Sequence, residues 1–70
     1  MSYVASSAYG IIELVGISDI GITQAIENGI SKVAKTTDNI SWFEVIQIGG
    51  HVSDGNVTHY QVTMKVGYGI

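Results

Sequence analysis

The 70-residue sequence contains no cysteine, no proline and no arginine, and charged residues make up only 13% of it. Without cysteine there is no disulfide framework, no thiolate zinc site and no thiol nucleophile. The sequence has three lysines, Lys32, Lys35 and Lys65, against six acidic residues, which gives a formal net charge of -3. Binding to nucleic acid relies on clustered Lys and Arg that contact phosphates, so the composition argues against a DNA or RNA partner.

Long hydrophobic runs are also missing. No apolar run approaches the roughly 20 residues of a membrane span, and residues 1–8 have neither the basic nor the apolar segment of a secretory signal. We therefore expect a cytoplasmic protein with no membrane partner. We interpret residues 1–8 as a flexible N-terminal tail and residues 9–70 as a single domain, because domains usually run to about 100–150 residues.

The shortage of charge has a structural consequence. A charged content of 13% is low against the typical value of about 25%, whereas the hydrophobic content of 46% is ordinary. A chain this short buries only about 60% of its extended surface on folding. Few charges would have to keep a large surface soluble, so we expect other copies of the chain to cover part of it.

The first half of the domain predicts a strand and a helix. Residues 9–16 (YGIIELVG) form a short apolar run rich in branched side chains and bounded by glycines, which is typical of a strand. Residues 22–36 repeat apolar side chains at spacings of three and four, the period of an amphipathic helix. Gly29 lies on the apolar stripe of that helix, which indicates close packing against a sheet.

The second half predicts a β-hairpin. Residues 41–53 and 56–68 are two long runs separated by Asp54-Gly55, the strongest short-range hairpin signal. Together with the first half, this predicts an α+β fold of β-α-β-β order, in which a three-stranded antiparallel sheet wraps one helix.

A two-residue loop at Asp54-Gly55 sets Ser53 opposite Asn56 and, further along, Glu44 opposite Lys65, a favourable cross-strand pair. Strict alternation then divides the hairpin into two faces. The first face is predicted to carry Phe43, Val45, Gln47, Gly49 and His51 with Tyr60, Val62, Met64, Val66 and Tyr68. The second face is predicted to carry Trp42, Glu44, Ile46, Ile48, Gly50 and Val52 with Val57, His59, Gln61, Thr63, Lys65 and Gly67.

The first of these faces is apolar enough to cover the helix. One helix covers only one side of a sheet, so Trp42, Ile46, Ile48 and Val52 would form a large exposed apolar patch on the other side. Another subunit, a ligand or both must therefore cover the second face, and we infer a homo-oligomer.

Trp42 and Gln61 are the candidate ligand-binding residues on this second face. An aromatic plate with an amide suits a flat heterocycle, because the ring stacks and the amide bonds to the ligand's polar edge. The residues alone leave an alternative, in which Trp42 fills a subunit interface and Gln61 bonds to neighbouring backbone. Glu44 and Lys65 lie nearby, and a structural cross-strand pair explains them better than a catalytic one.

His51 and His59 flank the hairpin loop, but the predicted register puts them on opposite faces, so no metal site is predicted. A hydrolase site built from Ser53, Asp54 and a histidine would lack an orienting scaffold and an oxyanion site.

Five sequence blocks carry a resemblance to a known family: IIELVG at 11–16, WFEV at 42–45, GH at 50–51, DG at 54–55 and HYQVTMKVGY at 59–68. In this order and spacing, the chain resembles the dodecin family from about residue 9 to residue 68. The resemblance implies a β-α-β-β protein that assembles into a hollow homododecamer and binds flavins in pairs between subunits. It implies that Trp42 stacks on the flavin and Gln61 bonds to it. It further implies flavin storage and quenching of flavin photochemistry, with no reaction catalysed.

The chain also departs from the family. Many bacterial members carry an arginine at the position of Gly49, where a basic group helps to hold a phosphate. FMN is the expected cofactor, with riboflavin as the alternative, and Lys65, beside Glu44, is the candidate for the phosphate side. The competing hypothesis is a structural homo-oligomeric shell with no physiological flavin. A flavin-dependent enzyme is not predicted, because no nicotinamide-binding motif is present.

Overall fold

The computed structural model describes residues 7–70, so residues 1–6 of the predicted tail lie outside the described residues. Three strands and one helix form the fold: β1 (Tyr9–Ser18), α1 (Ile22–Val33), β2 (Ile40–Ser53) and β3 (Asn56–Gly69). The strands make one antiparallel sheet in the order β1-β3-β2. The predicted β-α-β-β order and α+β fold are confirmed. Within residues 7–70, no helix is long and apolar enough to cross a membrane.

The helix packs through its small residues. Ala25 and Gly29 are its buried positions, and they face the core formed on β3 by Val62, Met64 and Val66. α1 ends at Val33 rather than at residue 36, because the chain tightens into a turn there. In that turn the backbone amides of residues 36 and 37 both donate to the Val33 carbonyl.

Two glycines set the distance between helix and sheet. A Cβ at Gly16 on β1 would overlap the backbone carbonyl of Ala25, and a Cβ at Gly29 would crowd the Leu14 side chain at 2.8 Å. The α-carbon of Gly16 lies 3.3 Å from that Cβ position. The backbone of α1 therefore lies directly on the backbone of β1.

The helix covers two strands and leaves the third uncovered. α1 packs on β1 and β3, and every residue of β2 from 41 to 53 is exposed. Phe43 and Val45 pair with the buried Val66 and Met64, so they lie on the helix side of the sheet. The prediction that this hairpin face covers the helix is therefore only half right: β3 does so, whereas Phe43 remains 46% exposed. A helix about 10–12 Å across spans about two strands spaced 4.7–4.9 Å apart.

Two bulges change the predicted faces of the hairpin. The register shifts by one residue between His51 and Val52 and shifts back between Val45 and Gln47. Between the two shifts, residues 47–51 of β2 lie on the face opposite to the predicted one. Each unpaired residue reverses the alternation of side chains between the two faces. Ile48 therefore pairs with the buried Val62 on the helix side, not on the Trp42 side. Conversely, the residues that move to the Trp42 side are Gln47, Gly49 and His51.

The close approach at Gly16 makes a prediction about stability. We expect Gly16→Ala to lower the free energy of unfolding by about 1–3 kcal/mol, because the added methyl meets a backbone carbonyl that cannot move aside. Gly49→Ala is the matched control, since it also lies in a strand but nothing is within 4 Å of the added Cβ. Urea midpoints at equal protein concentration measure both. Equal destabilisation by the two variants would contradict the account.

Candidate functional site

The surface opposite α1, here called the Trp42 face, contains all the residues that the sequence singled out for ligand binding. Pairing across the sheet assigns its members. They are Tyr9, Ile11, Glu13, Val15 and Ile17 on β1, Trp42, Glu44, Gln47, Gly49 and His51 on β2, and His59, Gln61, Thr63, Lys65 and Gly67 on β3.

Trp42 is held flat against the sheet by a glycine. It pairs with Gly67, and a Cβ at Gly67 would overlap the indole at Cε2, Cζ2 and Nε1. Tyr9 contacts the indole edge-on, with ring centroids 6.1 Å apart and planes at 74°. The Trp42 residue nevertheless remains 36% exposed. One side of the ring is therefore supported by backbone, and its exposed side is a platform for stacking.

Glu44 and Lys65 lie next to this platform. Glu44 is two residues along β2 from Trp42, and the register confirms that it lies opposite Lys65. On the other side, Lys65 lies opposite Glu13 of β1. The single lysine of the Trp42 face is therefore flanked by two carboxylates, and the row of three has a net negative charge.

Gln61 lies on the same face as Trp42, as predicted, but far from it. Trp42 is paired with Gly67, and Gln61 is six residues from Gly67 along β3. At about 3.3 Å per residue this places the two positions roughly 20 Å apart. A single flat ring system does not reach from one to the other. The predicted site residues thus fall into two groups within one chain: Trp42, Glu44 and Lys65 at one end of the face, and Gln61 at the other.

The end of the face that holds Gln61 is an open depression, lined by Gln61, Ile17, His51, Thr58 and His59. The prediction that the two histidines lie on opposite faces is wrong. They pair directly across β2 and β3, with ring centroids 5.9 Å apart. The bulge beside them reverses the alternation on which the prediction depended. Gly49-Gly50 lies next to this irregularity in the sequence, and a Cβ at Gly50 would overlap the His59 carbonyl.

Both sides of β2 expose large apolar side chains. Trp42 and Ile48 lie on opposite sides of the sheet, and Ile48 is 52% exposed. The predicted patch of Trp42, Ile46, Ile48 and Val52 is therefore not confined to one face, although all four residues are exposed. Such an element is typical of a strand that is covered by another subunit.

The sequence and the fold both match known proteins. The family model described as Dodecin matches residues 8–70. The curated dodecin of Thermus thermophilus is 38% identical over 60 residues, which cover 86% of this chain and 87% of that protein. The solved dodecin of Streptomyces davaonensis is 44% identical, with a TM-score of 0.86 over 90% of this chain and 93% of that one. The dodecin of Streptomyces coelicolor is 38% identical, with a TM-score of 0.87 over 90% of each chain.

The packing of Trp42 on Gly67 generates a second prediction. Because Trp42 is the only tryptophan, fluorescence excited at wavelengths that tyrosine does not absorb reports on this site alone. We expect Gly67→Ala to push the indole off the sheet, to shift its emission to longer wavelength and to increase its quenching by acrylamide. The lost packing should also lower the free energy of unfolding by about 1–3 kcal/mol. Gly49→Ala serves again as the control, and unchanged emission in Gly67→Ala would refute the proposed contact.

Proposed function

This chain belongs to the dodecin family of small flavin-binding proteins, and we propose that it stores a flavin between its subunits by stacking it on Trp42. The flavin is FMN or riboflavin, and the assembly is a homododecamer in the cytoplasm. Stacking on Trp42 returns the excited flavin to its ground state and so quenches its photochemistry. The protein binds and protects the flavin and catalyses no net reaction.

The observation that carries this proposal is the platform formed by Trp42 on Gly67. Its rear is supported by backbone and its edge by Tyr9, so the indole does not have to be ordered when a ligand stacks on it. Preorganisation of this kind lowers the entropic cost of binding. The exposed 36% of the residue is the part that would meet the ring.

The separation between Trp42 and Gln61 supports a pocket shared between subunits. Since the two lie roughly 20 Å apart in one chain, a flavin that touches both must take them from different copies. The uncovered β2 supplies the apolar surface that brings copies together. In this arrangement Trp42 of one subunit supports the ring and Gln61 of another bonds to its polar edge, using both its amide N–H and its carbonyl oxygen.

A bound flavin supplies the light-absorbing ring, and Trp42 supplies the quenching. Held in contact with the ring, Trp42 would serve as the electron donor that quenches the excited flavin, and it would recover its electron afterwards. No electron or atom is gained or lost overall, so nothing is consumed. This use of a tryptophan requires contact and rigidity but neither an acid nor a base, and no catalytic residue is assigned.

A second candidate is a structural shell without a physiological flavin. It is favoured by the exposure of apolar side chains on both sides of β2, such as Phe43 and Ile48. These side chains account for an interface without a ligand. In this case Trp42 would pack between subunits rather than against a flavin.

Substitution of Trp42 separates the two candidates. We expect the wild-type protein to quench added flavin fluorescence, and Trp42→Ala to weaken flavin binding by about five- to 150-fold, because base–aromatic stacking contributes about 1–3 kcal/mol. Size-exclusion chromatography should show the same oligomer for both proteins. Trp42→Phe is the matched control: it keeps a flat ring for stacking, but phenylalanine is a poor electron donor, so it should bind flavin with weaker quenching.

Two outcomes contradict flavin storage. If excess wild-type protein leaves flavin fluorescence unquenched, the proposed site does not exist. If Trp42→Ala dissociates the oligomer and no flavin co-purifies with the wild type, the shell is the correct function.

The carboxylates beside Lys65 generate a further prediction about the flavin. Because Glu13 and Glu44 flank Lys65 and the chain has no arginine, we expect recognition of the ring to dominate. FMN and riboflavin should bind with affinities within about threefold of each other, a difference of under about 1 kcal/mol. Fluorescence titration at low and high salt measures the affinities for FMN and for riboflavin. If FMN binds more than tenfold tighter, and Lys65→Met removes only that preference, Lys65 holds the phosphate.

A further inference from the structure

The histidine pair at the far end of the Trp42 face has no role in the proposed function. His51 and His59 are exposed and lie directly opposite each other on neighbouring strands. Their ring centroids are 5.9 Å apart and their planes are at 88°. Together with Thr58, they line the same open depression. Two imidazoles on adjacent strands are thus held close together in an open depression of the single chain.

Contacts of the Thr58 hydroxyl with His51 and His59 favour one tautomer of His59. The Thr58 hydroxyl donates to the His51 backbone carbonyl, with 3.3 Å between Oγ1 and O. That hydroxyl has a single proton, so towards His59 Nδ1, at 3.2 Å, its oxygen acts as the acceptor. With the hydroxyl proton assigned to the His51 carbonyl, Nδ1 of neutral His59 carries a proton and Nε2 keeps a free lone pair. A histidine that donates from one ring nitrogen while the other stays free is the arrangement found at metal ligands.

We propose that His51 and His59 of one chain together chelate a divalent transition-metal ion of the Zn²⁺, Ni²⁺ and Cu²⁺ class. Metal–nitrogen bonds of about 2.0–2.1 Å place two coordinated imidazole centroids about 5–6 Å apart. The observed 5.9 Å needs only side-chain rotation to direct both nitrogens at one ion. Imidazole suits this class of metal, whereas Ca²⁺ and Mg²⁺ prefer oxygen ligands.

The remaining coordination positions are assigned to water. Within residues 7–70, no group of three or more His, Cys, Asp or Glu residues surrounds a common point. Cysteine is absent from the whole sequence, so no thiolate competes with the imidazoles for the ion. A site with two protein ligands and bound waters exchanges its metal more readily than a closed structural site with four protein ligands.

Titration of the flavin-free full-length protein tests the chelate. Isothermal titration calorimetry with Ni²⁺ should give one ion per subunit. His51→Gln and His59→Gln should each weaken binding by about tenfold or more, since the second imidazole binds as an intramolecular ligand. The double variant gives the baseline from the N-terminal amine and the lysines. Ca²⁺ should bind no more tightly to the wild type than to the double variant.

Thr58 provides a test of the tautomer. Thr58→Val removes the acceptor for His59 Nδ1–H and should weaken Ni²⁺ binding, whereas Thr58→Ser keeps the hydroxyl and should restore it. The electron paramagnetic resonance spectrum of bound Cu²⁺ should show coupling to two imidazole nitrogens in the wild type and to one in each single histidine variant.

Three results would overturn the proposal. The first is Ni²⁺ affinity that is unchanged in either single histidine variant. The second is a wild-type Cu²⁺ spectrum with a single imidazole nitrogen. The third is a stoichiometry of one ion per two or more subunits, which would place the two imidazoles on different copies rather than within one chain.

Discussion

The width of a single α-helix limits how much of the sheet it covers, and the rest of this structure depends on that limit. α1 lies over β1 and β3, with the backbones touching at Gly16. This close contact stabilises the small core around Met64, but it also centres the helix away from β2. A strand of 14 residues is left with both sides exposed. In the proposed assembly, the apolar residues on β2 belong to a second core that another copy of the chain completes.

A glycine that allows close approach to the backbone also shapes the proposed ligand site. Trp42 lies at the start of the uncovered strand, and Gly67 on the central strand leaves room for its indole to lie on the sheet. An exposed aromatic surface thus lies on the strand that other subunits cover in the proposed assembly. The distance from Trp42 to Gln61 follows from the extended geometry of β3, since six residues of a strand span roughly 20 Å. Under the proposed function, binding and assembly are coupled for this reason, because neither end of the Trp42 face forms a complete pocket alone.

Charge on this face favours recognition of a ring over recognition of a phosphate. Lys65 has Glu13 on one side and Glu44 on the other, so its positive charge is shared with two carboxylates. At the opposite end, uncharged groups prevail, and the two histidines lie beside Gln61. The two ends of one surface therefore offer different chemistry, aromatic stacking at Trp42 and imidazole donors at His51 and His59.

The order of the elements, the hairpin at Asp54-Gly55, the pairing of Glu44 with Lys65 and the placement of Trp42 and Gln61 on one face all follow from the sequence. Each depends on local preference or on the period-two alternation of a strand. The sides of Ile48 and His51 did not follow, because a single unpaired residue reverses that alternation and leaves little trace in composition. The exposure of Phe43 could not be predicted from the sequence either, because periodicity shows which face is apolar but not how many strands one helix spans. Those features, and with them the histidine pair, were decided by the tertiary structure, in which strand register and helix position are set by backbone contacts between residues distant in sequence.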